Sequence, residues 1–329
     1  MFRTDFAIAP LEPAIDSADA MLALGSCFAR HMGDRLAAHK LDCLVNPLGT
    51  LFQPLAISKV IRMALGDREP DPAGFVDQED RHMHFDFHSD MRATDPRSLL
   101  ELLRERLATC GTQLRKSRWL LLTPGTAWVY ERKVTGQPVT NCHKVPADRF
   151  KKRLLSVKEI LADYEQLLSL LQKEVPQLQI LLSLSPVRHI KDTIPANSAS
   201  KAVLRLACHE LSSQYAHVHY FPAYEIMMDD LRDYRFYEAD MLHPNTVAID
   251  YIWEKFGGSC LNEKAQNLIT EWSGIRQAMA HKPFNPASEA HQRFLRKLLQ
   301  RVQQLSTKVD VSKEISEISQ QLHDGQSKA

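Results

Sequence analysis

The sequence lacks the patterns typical of a signal peptide, a transit helix or a membrane-spanning helix. Its first twenty residues contain prolines and acidic residues, among them Pro10, Glu12 and Pro13, which interrupt both a signal-peptide core and a basic transit helix. The longest apolar runs, 119–122 and 180–184, are far shorter than the roughly 20 residues that a membrane-spanning helix needs. We therefore expect a cytoplasmic protein with no membrane partner.

The sequence also lacks an excess of charge of either sign and any Cys-x-x-Cys motif. Lys and Arg (41) nearly balance Asp and Glu (40), and the net charge of +1 gives no electrostatic reason to expect a nucleic-acid partner. The 6 cysteines include no Cys-x-x-Cys pair, and a chain of 329 residues can bury a sizeable core without disulfides. We expect reduced thiols and a small-molecule substrate.

Apolar runs alternate with amphipathic helical patterns over residues 1–262, which predicts an α/β domain with a mainly parallel sheet flanked by helices. Residues 263–329 differ in character, and we assign them to a helical C-terminal extension. Strands are predicted at 21–24, 44–45, 119–123, 179–184 and 218–224, helices at 28–39, 54–64, 97–109, 156–173 and 201–215, a hairpin at 128–133 and 138–141, and an irregular excursion at 66–92.

The extension carries the apolar seam of a heptad repeat. Its apolar residues follow alternating spacings of three and four, and the pattern resumes after a slip in phase. Two interpretations stay open: terminal helices that pack on the chain's own domain, and a coiled coil that binds a second copy or another partner. The seam residues are Leu295, Leu298, Val302, Leu305 and Val309, followed by Ile315, Ile318 and Leu322.

A Gly-Ser pair ends the first predicted strand. Gly25 and Ser26 lie where this strand passes into the first helix, and open α/β sheets bind ligands at such carboxyl ends of strands. Free N–H groups at a helix N-terminus can stabilise an acyl oxyanion. Serine is also a preferred helix cap, so the position alone fits a structural role. Cys27 is an alternative nucleophile, although its place on the helix directs it toward the core.

An Asp-x-x-His-Pro segment follows the last predicted strand. Pro244 disfavours helical geometry at His243 and therefore predicts a loop. In such a loop Asp240 can hold the imidazole in the tautomer that accepts a proton from a serine. The motif alone is common and mostly structural. Its combination with a Gly-Ser pair after the first strand favours a Ser-His-Asp triad.

This combination resembles the SGNH (GDSL-like) hydrolases, and the segment 25–29, Gly-Ser-Cys-Phe-Ala, resembles the signature of the GSCFA family. The resemblance covers about residues 20–258. It implies a three-layer α/β/α, flavodoxin-like fold and cleavage of an acyl ester of a small molecule or carbohydrate, with neither a metal nor an organic cofactor. Acyl transfer to a sugar or other alcohol, and a non-catalytic scaffold on the same fold, remain alternatives. Further matching segments begin at Asn46, Thr123, Asn141, Ser185 and Arg232.

The resemblance also implies roles for individual residues. Ser26 would be the nucleophile, His243 the general base and then the general acid, and Asp240 the residue that orients the imidazole. The backbone N–H groups of Ser26 and Gly49 would bind the oxyanion.

A third oxyanion donor is missing at its usual position. The superfamily's third motif normally ends in an Asn whose side chain completes the oxyanion hole, whereas Gly125 and Thr126 are here followed by Ala127. Removal of one such donor typically costs about 10²–10³ in turnover. We therefore predict a substitute from the nearby segment, either Asn141 or His143.

Histidine and aspartate residues alternate with apolar residues in the segment 82–88. His82, His84, Asp86 and His88 alternate with apolar residues, which predicts that all four lie on one face of a strand. Such a row extends over about 20 Å, so it cannot surround one metal ion. We predict no metal site and consider His88 a candidate substrate contact at the border of the cleft.

Polar residues also follow the strand predicted at 179–184. Arg188 and His189 can bind a carboxylate or phosphate of the substrate, or they can fix a loop. His143 is a further candidate substrate contact on the same rim.

Overall fold

The computed structural model describes residues 3–78, 80–286 and 288–326. The strands in chain order are β1 (Met21–Gly25), β2 (Cys43–Val45), β3 (Phe75–Gln78), β4 (Arg81–His84), β5 (Trp119–Thr123), β6 (Trp128–Arg132), β7 (Pro138–Val139), β8 (Phe150–Leu154), β9 (Gln179–Ser183) and β10 (Val218–Phe221). The helices are α1 (Cys27–Ala38), α2 (Pro54–Leu65), α3 (Pro96–Lys116), α4 (Val157–Glu174), α5 (Ile194–Gln214), the single turn α6 (Ala223–Glu225), α7 (Thr246–Cys260), α8 (Glu263–Met279), α9 (Glu289–Leu305) and α10 (Ser312–Gln326).

Five parallel strands form the central sheet in the order β2-β1-β5-β9-β10. Numbered among themselves, they have the order 2-1-3-4-5 of flavodoxin-like doubly wound sheets. The predicted α/β class with a mainly parallel sheet is therefore confirmed. In such a sheet the ligand crevice lies where the connections diverge, here between the carboxyl ends of β1 and β5. Ser26 directly follows β1 at this point.

Both faces of the sheet are covered by helices. Because side chains alternate along a strand, Leu22 and Leu24 join a hydrophobic cluster with α2, α3, α4 and α5, whereas Met21 and Ala23 join another with α1 and α7. Strands that are buried on two faces need apolar residues at consecutive positions. This requirement explains why the sequence of β5, Trp-Leu-Leu-Leu-Thr, is apolar without alternation.

The predicted hairpin at 128–133 and 138–141 is confirmed, because β6 and β7 pair antiparallel. A third strand, β8, pairs with the other side of β6 and was not predicted from the sequence. Its three central residues are basic, which hides the alternation of a strand. One of these charges is matched across the pair, since Arg153 Nε lies 2.7 Å from Glu131 Oε1.

Helix α3 continues seven residues beyond its predicted end at Thr109. Gly111 lies inside the helix, where a Cβ would come within 2.2 Å of the Ala64 carbonyl oxygen. The glycine therefore permits a close approach to the end of α2 and does not end the helix. Helix α5 likewise begins at Ile194, seven residues before the predicted start.

The prediction that His82, His84, Asp86 and His88 share one strand face is wrong. Strand β4 ends at His84, and a turn follows in which the backbone N–H of Asp86 donates to His84 Nδ1 at 3.1 Å. The chain therefore changes direction before it reaches His88. Only His84 and Asp86 remain close to each other, with 4.0 Å between His84 Nδ1 and Asp86 Oδ2, whereas His82 pairs with Asp77 and His88 with Asp90.

The C-terminal helices pack on one another and on the α/β domain. The seam residues Leu295, Leu298, Val302 and Leu305 are buried in a cluster formed by α8, α9 and α10 of the same chain. The seam is thus covered from within, as in the interpretation of self-packing terminal helices. No helix in the described part of the chain combines the length and apolar character needed to span a bilayer.

Contacts at the end of α1 attach these helices to the sheet domain. Trp272 on α8 is buried, and its indole N–H donates to the Ala38 carbonyl at 2.9 Å. Lys40, which packs over the same indole, forms an ion pair with Glu314 at 2.8 Å. Helix α8 therefore links two hydrophobic clusters. Trp272 belongs to the cluster of α8, α9 and α10, and Ala265 belongs to the cluster of α1 and α7.

We predict that Trp272→Ala lowers the free energy of unfolding by about 3–5 kcal/mol, because it leaves a large cavity between α8 and α1. Urea unfolding followed by circular dichroism measures this change. Phe284→Ala is the matched control, since Phe284 is fully exposed and its removal should change stability by less than about 0.5 kcal/mol. Equal unfolding midpoints for the two variants would contradict the conclusion that Trp272 attaches α8 to the end of α1.

Candidate active site

Ser26 occupies the cap position of α1 but does not cap it. Its side chain makes no bond to the helix N–H groups, whereas Ser156 at the start of α4 forms a full capping box. The Ser26 residue is completely buried, and its Oγ has no hydrogen-bond partner among the described residues. Buried polar atoms are normally paired. Helix capping therefore does not explain this serine.

The backbone around Ser26 is tightly held. Gly25 has a φ of +145°, and a Cβ at this residue would lie 2.3 Å from the Thr123 carbonyl oxygen. The Gly25 N–H donates to Asn46 Oδ1 at 2.9 Å, and the Ser26 N–H donates to the Thr123 carbonyl at 3.0 Å. Only glycine permits this conformation and approach. Ser26 is consequently fixed between the ends of β2 and β5.

Asp240 and His243 form a hydrogen-bonded pair in one loop. His243 Nδ1 lies 2.6 Å from Asp240 Oδ2, and the backbone N–H groups of Leu242 and His243 donate to Oδ1 at 2.8 and 3.0 Å. The His243 N–H is the main reason that the pKa of Asp240 falls to about 2, with the imidazole and the Leu242 N–H adding to it. An ionised carboxylate accepts the Nδ1 proton and leaves Nε2 as a proton acceptor.

The loop after β9 lies against the loop that carries His243. The Arg188 N–H donates to the Leu242 carbonyl at 3.4 Å, and its guanidinium donates to the Tyr237 hydroxyl at 2.7 Å. The same guanidinium lies 4.5 Å from the centroid of the Tyr237 ring. In this structure Arg188 therefore fixes the loop, which was one of its two predicted roles.

Gly125, which follows β5, lies between Ser26 and His189. A Cβ at this glycine would be 3.0 Å from His189 Nε2 and 3.5 Å from Ser26 Cβ. His189 Nε2 is buried and, like Ser26 Oγ, has no partner in the described part of the chain. Burial is the main reason that the pKa of His189 falls to about 4, and Lys201 and His243 lower it further. The imidazole is therefore neutral at pH 7.

The structure brings part of the predicted triad together. His243 is bonded to Asp240, and its loop contacts the segment of His189 through the bond from the Arg188 N–H to the Leu242 carbonyl. The His189 ring in turn borders the space beside Ser26. Since Ser26 Oγ has no partner within residues 3–78, 80–286 and 288–326, its hydrogen bond to His243 is not formed. Catalytic hydrogen bonds often tighten only when substrate is bound.

The predicted oxyanion donors are all engaged with protein acceptors. The Ser26 N–H continues the ladder between β1 and β5, and the Gly49 N–H donates to the Asn46 carbonyl at 2.9 Å, which closes a tight turn. Asn141 Nδ2 donates to Ser89 Oγ at 2.9 Å, and His143 Nε2 lies 2.8 Å from the His84 carbonyl oxygen. Asn141 and His143 are thus bound to the segment that contains His84 and Ser89.

His88 packs directly against the turn that follows β2. A Cβ on Gly49 would lie 2.4 Å from His88 Cβ, and His88 Nδ1 is 3.1 Å from Asp90 Oδ2. His82 bonds to Asp77. Within the described residues, no group of three or more His, Cys, Asp or Glu side chains is arranged to hold a metal ion.

Cys27 was the alternative nucleophile. Burial raises the pKa of its thiol, so the reactive thiolate is disfavoured at neutral pH. The structure therefore favours Ser26 over Cys27.

Lys201 is a feature of the site that the sequence analysis missed. This residue of α5 is buried, and its Nζ donates to the Ser185 carbonyl at 2.6 Å and to the Gly125 carbonyl at 2.8 Å. It thus ties together the segments that follow β5 and β9. Burial lowers the pKa of its amine to about 7. A lysine spaced like Leu204 and Cys208 on the apolar stripe of α5 was the available signal.

Comparison with known proteins relates the chain to two family models. The model described as the GSCFA family matches residues 20–256, which include β1 and most of α7. The model described as GSCFA domain protein, C-terminal domain, matches residues 272–324, which lie in α8 to α10. No curated protein matches the chain.

We predict that Lys201 makes folding stability depend on pH. Because its pKa is about 7 in the folded protein and about 10.4 in an unfolded chain, the unfolded state binds more protons between these values. The free energy of unfolding therefore gains about 2 kcal/mol from this group between pH 7 and pH 9. Urea unfolding at both pH values should show that Lys201→Met loses this increment.

Lys158→Met, at an exposed position of α4, is the control and should retain the pH dependence of the wild type. The other titrating groups are common to the three proteins, so their contributions to the change in the free energy of unfolding cancel in the comparison. An equal increment in wild type and Lys201→Met would show that the pKa of the buried amine is not lowered as described.

Proposed function

The chain belongs to the GSCFA family, and we propose that it is a serine hydrolase of the SGNH type, which cleaves an acyl ester of a small molecule or carbohydrate. One observation carries this proposal. The Asp240–His243 pair leaves an imidazole nitrogen to accept a proton, and its loop contacts the segment after β9 through the Arg188 N–H. Because β9 runs parallel to β5 and β1, this contact lies at the same edge of the sheet as the buried hydroxyl of Ser26, which has no partner among the described residues. Helices on both faces of the sheet and its 2-1-3-4-5 strand order support the SGNH fold assignment.

The proposed reaction has two halves. Ser26 Oγ attacks the carbonyl carbon of the ester while His243 Nε2 takes the hydroxyl proton, and the resulting imidazolium returns that proton to the leaving alcohol. Water then attacks the acyl-enzyme with His243 as the base, and the imidazolium returns this proton to Ser26 Oγ as the bond to the acyl group breaks and the acid is released. Asp240, which stays ionised above about pH 2, stabilises the imidazolium in both halves.

Acyl transfer is a second candidate because Ser26 is completely buried. An acyl group on this oxygen would be shielded from water, and exclusion of water protects a reactive intermediate from hydrolysis. A bound alcohol or sugar hydroxyl could then receive the acyl group through the same residues. The partition of the acyl group between water and added glucose distinguishes transfer from hydrolysis.

We further propose a reducing, cytoplasmic location. All six cysteines are free thiols, three of them buried, which supports this proposal because disulfides are rare in that compartment.

We predict that wild-type protein hydrolyses p-nitrophenyl acetate and is labelled by a fluorophosphonate, whereas Ser26→Ala does neither, because the attacking oxygen is removed. Mass spectrometry of the labelled peptide locates the adduct. Ser117→Ala is the matched control, since Ser117 is equally buried but donates to the Gln113 carbonyl at the opposite end of β5. Labelling of Ser26→Ala at the wild-type rate would refute the nucleophile assignment.

We predict that Asp240→Asn lowers kcat for the same ester by about 10³–10⁴, because an amide favours the wrong tautomer of His243. Asp233→Asn is the control, since Asp233 is an exposed carboxylate that pairs with Arg235. A kcat of Asp240→Asn within twofold of the control would exclude the proposed role.

A further inference from the structure

Two side-chain nitrogens beside Ser26 are buried but make no hydrogen bond to any described residue: Asn46 Nδ2 and His189 Nε2. Most buried polar atoms in proteins are paired, and an unpaired one calls for an explanation such as a catalytic role. Both of these atoms can donate an N–H, and both belong to segments that flank the end of β1. Asn46 follows β2 on one side, and His189 lies beyond Gly125 on the side of β5.

The orientation of the Asn46 amide is fixed by its neighbour. Its Oδ1 accepts the Gly25 N–H at 2.9 Å, so Nδ2 is the donor end that remains unused. The backbone of Asn46 is left-handed, with a φ of +41°, a conformation that Asn tolerates better than most residues. Its own N–H donates to the Ala23 carbonyl at 2.9 Å, which holds the residue against β1.

His189 is suited to donate a hydrogen bond and poorly suited to accept a proton. Its ring is neutral at pH 7, and a neutral imidazole carries its proton on one of the two nitrogens. No carboxylate braces this ring among the described residues, in contrast to His243, which Asp240 orients. The Phe52 ring packs edge-on against His189, with 5.7 Å between the ring centroids, and helps to fix its position.

The backbone donors expected for an oxyanion hole are already used, since the N–H groups of Ser26 and Gly49 bind the carbonyls of Thr123 and Asn46. We infer that the side-chain N–H groups of Asn46 and His189 bind the ester carbonyl oxygen and stabilise its negative charge in the transition state. This inference rests on the proposed function. It supplies the donor that is missing because Ala127 stands at the usual position of the Asn.

Kinetics on p-nitrophenyl acetate test this assignment with variants that remove one donor each. Asn46→Asp keeps the shape and the acceptor for the Gly25 N–H but loses the N–H donor. His189→Leu loses the imidazole, whereas His189→Gln restores an N–H. We expect kcat to fall by about 10²–10³ in Asn46→Asp and His189→Leu with KM changed less than threefold, and to recover at least tenfold in His189→Gln.

His219→Leu is the matched control. Its imidazole is partly buried on β10, where Nε2 lies 3.0 Å from Gln179 Oε1, and it should retain the wild-type kcat. Circular dichroism and urea midpoints verify that each variant is folded.

Gly125→Ala tests the same site without changing a donor. Its methyl group would enter the space between His189 Nε2 and Ser26 Cβ, at 3.0 and 3.5 Å from them, and the backbone of Gly125 is outside the left-handed region. We expect a folded protein whose kcat is at least tenfold lower. This variant keeps the inference testable if His189→Leu does not fold.

The outcomes separate the inference from the function on which it rests. Wild-type protein that neither turns over esters nor is labelled at Ser26 overturns both. Ser26-dependent turnover with wild-type kcat in Asn46→Asp and His189→Leu, or in Gly125→Ala, overturns the inference alone. If His189→Gln is as inactive as His189→Leu, His189 acts otherwise than as a donor, and its assignment fails.

Discussion

The close approach of Gly25 to the Thr123 carbonyl is the constraint on which the site depends. It holds the last residue of β1 against β5 in a backbone conformation that side chains oppose, while Asn46 secures the same residue from the side of β2. Ser26 is the next residue and has no freedom of its own. The proposed nucleophile therefore lies on the rigid part of the fold, at the point where the order of the strands reverses.

The other components of the site are mounted differently. The Asp240–His243 pair lies on a partly exposed loop, held by hydrogen bonds within that loop and by Arg188. A fixed serine and a loop-mounted base suit a reaction in which substrate binding completes the hydrogen bond between them. Lys201 also supports the site, because its buried amine binds the carbonyls of both Gly125 and Ser185 and so links the segments after β5 and β9.

The C-terminal helices also bear on the site through α1. Ser26 precedes the first turn of this helix, and its last turn is held by the indole of Trp272 and by Ser273, whose Oγ lies 3.1 Å from His39 Nε2. The extension is thus packed against, and hydrogen-bonded to, the helix that begins next to the serine. Its apolar seam serves this internal packing.

The sequence by itself determined the α/β class, the five strands of the central sheet, the position of Ser26 after β1 and the pairing of Asp240 with His243, because periodicity, turn residues and three-residue spacing are local properties. Only the tertiary structure decided which donors remain free. The N–H groups of Ser26 and Gly49 find carbonyl partners, whereas Asn46 Nδ2 and His189 Nε2 find none in the described chain. Lys201 and Gly125 acquire their roles in the same way. Hydrogen-bond partners are chosen between segments distant in sequence, and the packing that brings these segments together leaves no local pattern to read.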